Sequence, residues 1–324
     1  MTFDLNLSDD QRQILDAAAT MLDGSYPLSR LRAGKRDDLS DLTEFGAFTL
    51  ALSQDEGGSG FTVVEEALLH VLFGQHVIST RALATSLALR LAPPDLADEI
   101  ARGTLSVCAA LPGRGCILLI EPAEQHLAVL FAGRSLKLIS LEGARPVPVE
   151  SLGDSVPLGR MPLEAAMVLS ETTDPEILML SDLLVSAQLL GITEASRDLA
   201  VEYAKLRHQF GKPIGAFQAI KHHCANMAIN AEVLSSLLDM AALSLADSDD
   251  HAEFQIAALR RLAPKLALEN ARTAIQIHGG IGFSDEADAH HFLKQAHFLS
   301  RLGSEAAMLD LPAPLSPHRE PEET

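Results

Sequence analysis

Tryptophan is absent from this sequence, and aromatic side chains of any kind make up only 4% of it. A core therefore has to be built from Leu, Ala, Ile and Val, a composition that favours packed helices. Cysteine is scarce as well. Cys108, Cys116 and Cys224 are odd in number and lack the short spacing of a metal site. They give no complete disulfide framework, and reduced, cytoplasmic thiols are the default. Basic charge is outnumbered, with 25 Lys and Arg against 44 Asp and Glu and a formal net charge of −19. Such a surface repels nucleic acid and anionic membrane, so neither is expected as a partner. The first residues, Met1 to Leu15, hold no basic region followed by an apolar one, so no signal peptide is expected. No uninterrupted apolar stretch approaches the ~20 residues needed to span a bilayer.

What is present is a chain of 324 residues, 47% hydrophobic, long enough for a sizeable core and for about two to three domain-sized units. Three segments and a tail can be read. Residues 1–103 are helical. Ser8 and Gln11 form a capping-box pattern ahead of Ile14, Leu15, Ala18 and Leu22 at helical spacing. One long apolar helix is expected from Val63 to about Leu91, stopped by Pro93 and Pro94. Residues 104–165 change character. Cys116 to Ile120, Leu127 to Phe131 and Leu136 to Ile139 are short apolar runs between turn residues, and predict a small β domain of a few strands. Residues 166–311 are helical again, with breaks near 211–215, 247–250 and 279–282, the pattern of a four-helix bundle. Residues 312–324, with four prolines, read as a frayed tail.

Two junctions carry candidate chemistry. Arg207 to Ile214 joins two helices, with Gly211 as a plausible C-cap and Pro213 as a plausible first helical residue. An arginine there forks onto phosphate oxygens, and Gln209 both donates and accepts. Taken on spacing alone, Arg207 reads first as a hairpin residue paired with a surface carboxylate. Gln276 to Phe283 is the second junction, where Gly279 and Gly280 let another chain or a ligand approach the backbone. His278 reads as a packed or capping histidine, since no ligand-like spacing surrounds it.

Taken together and in order, these stretches resemble the acyl-CoA dehydrogenase family. The resemblance runs through Gly191 to Arg197, Tyr203 to Gly215, Phe217 to Ile220, Lys265 and Gln276 to Phe283, with Glu44 to Phe48 and Gln54 to Phe61 matching the N-terminal part. It implies a mainly α fold: helical N-terminal domain, β middle domain and C-terminal four-helix bundle. It also implies a tetramer with FAD at a subunit interface. In the family, Arg207, Gln209 and Phe210 match positions that hold a neighbouring subunit's FAD. Gln276, Gly279 and Gly280 match positions touching its adenosine and pyrophosphate. An electron-transfer flavoprotein-type acceptor and an acyl-CoA substrate come with the resemblance.

The sequence also departs from the family. Relatives remove an α-proton with a glutamate near the C-terminus, and Leu302 falls at that position here. Glu305 becomes the base only if the register shifts. Some relatives carry the glutamate on the first bundle helix, where this chain has Ser181. Asp182 is adjacent, turned ~100° away on a helix, and reads as an N-cap or solvated first-turn acid. The middle segment is short and lacks the stretches that cover the flavin ring and line the acyl channel in relatives, Glu121-Pro122 being the nearest echo. No catalytic residue is therefore assigned. The expectation is a subunit that donates to the flavin site of a related, glutamate-bearing partner in a heterotetramer acting on a bulky or steroid-type acyl-CoA. The alternatives are a flavin-free scaffold subunit and a self-sufficient homotetramer.

Overall fold

The computed structural model describes residues 7–34, 37–122, 126–151 and 156–304, so Glu305 and the 312–324 tail lie outside the described residues. Six helices come first: α1 (Asp9–Ser25), α2 (Ser29–Arg32), α3 (Ser40–Phe45), α4 (Val63–Gln75), α5 (Thr80–Leu91) and α6 (Pro94–Ala101). The Ser8–Gln11 capping box opens α1 as expected, with both reciprocal bonds made. The single helix expected from Val63 to Leu91 is two. Val77 turns left-handed at φ +51°, and the Ser79 hydroxyl caps α5 by accepting from the Arg81 amide. Both halves are so apolar that burial continues straight across the break, which is why composition hid it.

Seven strands follow: β1 (Val107–Gly113), β2 (Cys116–Ile120), β3 (Leu127–Phe131), β4 (Leu136–Ser140), β5 (Val147–Val149), β6 (Leu158–Pro162) and β7 (Met167–Thr172). They form one sheet in the order β5-β6-β2-β1-β3-β4-β7, antiparallel except for the β1–β3 pair. The "few strands" read from sequence were three of these seven. Side chains alternate across the pleat. On β1 and β3, Val107, Ala109, Leu127 and Val129 join the main core beside α5. Cys108, Ala110, Ala128 and Leu130 turn to a separate core on the opposite face.

The bundle holds α7 (Pro175–Leu206), α8 (Gln218–Ala246), α9 (Ala252–His278) and α10 (Ala289–Leu299), broken where the sequence suggested. Helix α7 is its axis and packs on α4, α8, α9 and α10. Glycine makes the α4 contact. A Cβ on Gly191 would lie 2.0 Å from the Val71 carbonyl oxygen, and one on Gly74 2.0 Å from that of Gln188. Two backbones touch there, so no other residue fits on either side. By length and apolarity α7 and α8 both pass for membrane-spanning segments, which the sequence reading did not expect. The apolar stretch of α7 is 78% buried, marking a core helix, whereas that of α8 is 39% buried.

Candidate functional site

The two junctions come together at one end of the bundle. The Tyr203 and His278 rings stack at 4.2 Å, tying the C-terminus of α7 to that of α9. Ala200, Ala204, Met227, Ala274 and Ile277 fill the space between the helices. His278 is packed, as expected, with Nδ1 against the Ala274 carbonyl at 2.7 Å.

The local structure differs from the expected caps. Helix α7 ends with Arg207 as its cap. The chain then makes a two-residue hairpin between β8 (His208–Gln209) and β9 (Lys212–Pro213). Phe210 and Gly211 form its loop with φ of +52° and +78°, the hand that suits so tight a hairpin. Gly211 is thus a turn residue rather than a helix cap, and Pro213 caps a 3-10 turn at Ile214–Ala216 rather than starting α8. At the second junction Gly279 does end α9, at φ +66° and ψ −143°, a conformation reserved for glycine.

Arg207, Gln209, Phe210, Gln276, Gly279 and Gly280 are all exposed. Phe210 is 90% exposed, and Leu206 and Phe283, at the same two junctions, are exposed as well. Among the described residues no carboxylate lies within 4 Å of the Arg207 guanidinium, so the surface ion pair that spacing suggested is not formed. Among the described residues, a Cβ on Gly279 or Gly280 would meet nothing within 4 Å. This is a shelf of the Arg207 guanidinium, two amides, open backbone and aromatic surface, with Lys212 on the same hairpin held over the Phe217 ring at 4.4 Å. Its donors suit the diphosphate and adenosine of FAD, with the guanidinium as the charge partner of the diphosphate.

The proton-abstraction positions lie elsewhere in the bundle. Leu302 is fully buried, and Ser181 is buried with a hydroxyl that has no hydrogen-bond partner among the described residues. Asp182 is neither an N-cap nor solvated: Asp174 caps α7, and Asp182 is buried eight residues in. Its Oδ1 accepts from the Ser304 amide at 2.7 Å, its Oδ2 from the Ser304 hydroxyl, and Arg260 Nε lies 3.5 Å from Oδ1. Burial pushes the Asp182 carboxyl above its ordinary range, while Ser304 and Arg260 pull it back. Arg260 also donates to the Leu302 carbonyl. Asp182, Arg260 and Ser304 line a cavity of about 520 Å³ with Met179 and Ile256. Position 302 and Asp182, the neighbour of position 181, thus meet at one ion pair. Arg260, a charge on the apolar face of α9 beside Ile256, Leu259 and Ala263, was the signal for it, and the sequence reading missed it.

Comparison with known proteins places this arrangement. Residues 176–309 match the family model for the acyl-CoA dehydrogenase C-terminal domain. The chain is 30% identical over 266 residues to the acyl-CoA dehydrogenase IpdE2 of Mycobacterium tuberculosis, covering 80% of this chain and 79% of that one. The chain belongs to the acyl-CoA dehydrogenase family. It is also 32% identical over 307 residues to the acyl-CoA dehydrogenase FadE34 of the same organism, covering 87% of this chain but spanning only 42% of that relative's length. Two solved members of the family's fold superpose over nearly the whole chain. A Tcur3481-Tcur3483 steroid acyl-CoA dehydrogenase variant gives a TM-score of 0.76 at 19% identity, covering 90% of this chain and 93% of its own. The ChsE4-ChsE5 complex from Mycobacterium tuberculosis gives 0.73 at 21%, covering 91% and 94%. At these identities the likeness establishes the fold, the mainly α family fold expected from sequence.

Proposed function

We propose that this chain is one subunit of a heteromeric, flavin-dependent acyl-CoA dehydrogenase that introduces a 2,3-double bond into an acyl-CoA thioester. It would lend Arg207, Gln209, Phe210, Gln276, Gly279 and Gly280 to the FAD site of a related subunit that carries the base. FAD supplies the hydride acceptor in this family. The residues of this chain bind and orient its diphosphate end.

One contrast carries the reading. The shelf that suits another subunit's flavin is complete and exposed, while this chain's own positions for the base hold a buried leucine and a buried serine. A carboxylate must reach the α-proton for chemistry to begin, and Asp182 is committed to Ser304 and Arg260. The apolar, largely uncovered α8 supports assembly, since exposed apolar surface of that extent marks an interface. Among the structural relatives, the ChsE4-ChsE5 complex supports two unlike subunits, and the steroid acyl-CoA dehydrogenase supports a bulky acyl group. A tetramer, an electron-transfer flavoprotein-type acceptor and a cytoplasmic site of action complete the proposal.

The test is anaerobic bleaching of the flavin by acyl-CoA. The chain alone, given FAD, should bleach nothing. Co-expressed with a related chain bearing the C-terminal glutamate, it should form a flavin-containing complex that bleaches. Bleaching by this chain alone would overturn the proposal, and a stable complex without flavin would make it a scaffold.

A further inference from the structure

A second cavity, of about 380 Å³, lies between α3, α5, the end of α6 and β1. Phe48, Ile100 and Val107 form its buried apolar wall, and Arg81 lines it from α5. Arg81 is half-buried, and its charge is not matched locally. Its NH1 group donates to the Asp37 carbonyl oxygen at 3.1 Å, while its Nε is buried with no hydrogen-bond partner among the described residues.

The neighbouring carboxylates are taken. Arg30 holds Asp37 at 2.7 Å, and the Ser79 amide takes its other oxygen at 2.7 Å. Glu121 accepts from the hydroxyls of Ser79 at 2.6 Å and Thr80 at 3.0 Å. Burial pushes the Glu121 carboxyl up toward its neutral form, while the Ser79 and Thr80 hydroxyls and the Arg81 charge pull it back. Among the described residues no carboxylate comes within 4 Å of Arg81. A surplus guanidinium on the wall of a cavity in a chain of net charge −19 is a place for an anion.

We propose that this cavity binds a small molecule bearing a carboxylate or phosphate on a short apolar body. The anionic group meets Arg81, and the body lies on Phe48, Ile100 and Val107. Arg102 also lines the exposed rim, but Asp98 already pairs with it at 3.5 Å, so Arg81 is the cation that counts. Asp38 and Glu44, also exposed at the rim, select against a second anionic group and favour a hydroxyl or amide at the outer end. The site is separate from the flavin shelf and does not depend on it.

The experiment is isothermal titration of the full chain with inorganic phosphate and, separately, with butyrate. At least one should bind at a single site with a dissociation constant of about 1 mM or tighter. Binding by butyrate alone assigns a carboxylate, and binding by phosphate alone a phosphate ester. Arg81→Gln should weaken it about tenfold or more, and Thr43→Phe, which fills the cavity from α3 and keeps the Arg81 charge, should abolish it. Arg207→Ala should leave it unchanged. Should Arg81→Gln fail to fold, Thr43→Phe alone decides. No binding of either probe, or binding that survives Thr43→Phe, overturns the site.

Discussion

Arg207 and Asp182 show how differently two charged residues can be used. Arg207 is exposed with no carboxylate beside it among the described residues, so its charge is available to a phosphate. A hydrogen bond to a charged group contributes about 1.5–3 kcal/mol. Arg207→Ala should therefore lower FAD retention in the assembled complex about tenfold or more, read as flavin per complex after dialysis. Unchanged retention would reduce Arg207 to a hairpin residue. Asp182 is the opposite case, buried and fully spoken for. Removing one partner of a buried pair strands the other, at about 3–5 kcal/mol. Urea unfolding of Asp182→Ala should show a loss of that order. Asp182→Asn keeps the shape and an acceptor, and should leave turnover of the partnered complex within a few-fold. A collapse of turnover with the fold intact would make Asp182 a participant in the chemistry. The chain's sequence put Arg207 and the Gly279 turn at helix ends correctly, because turn residues announce themselves locally. It misplaced Asp182 because burial next to Arg260 and Ser304 depends on contacts 78 and 122 residues away, which local pattern cannot carry.

Among the elements, the contact between α4 and α7 is the least forgiving. Gly191→Ala would drive a methyl into the Val71 carbonyl. Neither backbone can yield without unpacking the axis helix, so the loss should be on the order of 4 kcal/mol, among the largest single-residue effects. A midpoint within about 0.5 kcal/mol of wild type in urea would mean the two helices are not in backbone contact. The same contrast explains which elements were legible. Helix α1 declared itself through its capping box, and β2, β3 and β4 through apolar runs between turns. Strands β5 and β7 did not, since Val147–Val149 and Met167–Thr172 are largely exposed and are strands only because β6 and β4 pair with them. The break between α4 and α5 was hidden for the reverse reason: apolar residues run on through both helices, and the Gln75, His76 and Ser79 that sit at the break carry no glycine-proline turn signal.

At the scale of the molecule, a buried polar cluster ties the N-terminal helices to the bundle. His70 accepts or donates toward Ser86 at 3.2 Å and meets the Gln188 amide at 3.0 Å. Burial, then the nearby Arg90 charge, lowers its pKa to about 3. Below the ordinary value of 6.5 the unfolded chain takes up a proton that the folded chain refuses, so stability falls as pH drops and is unaffected above 6.5. The limiting slope is about 1.4 kcal/mol per pH unit. Glu66, Glu121 and Asp182, whose carboxyls burial raises, act with the opposite sign. The difference between wild type and His70→Gln removes that background, and should shift in favour of the variant as pH falls from 6.5 toward 4. A difference that stays flat would mean His70 protonates freely in the fold. The open hairpin has a practical consequence of another kind. With no tryptophan anywhere, the chain emits almost nothing when excited at the red edge of protein absorption. Phe210→Trp would place one fluorophore at the point of the molecule proposed to meet its partner. Its emission should be that of an indole in water for the chain alone, and should move to the blue, quenched by the neighbouring flavin, when the complex forms. The protein's missing residue type thus makes it a dark background for watching its own assembly.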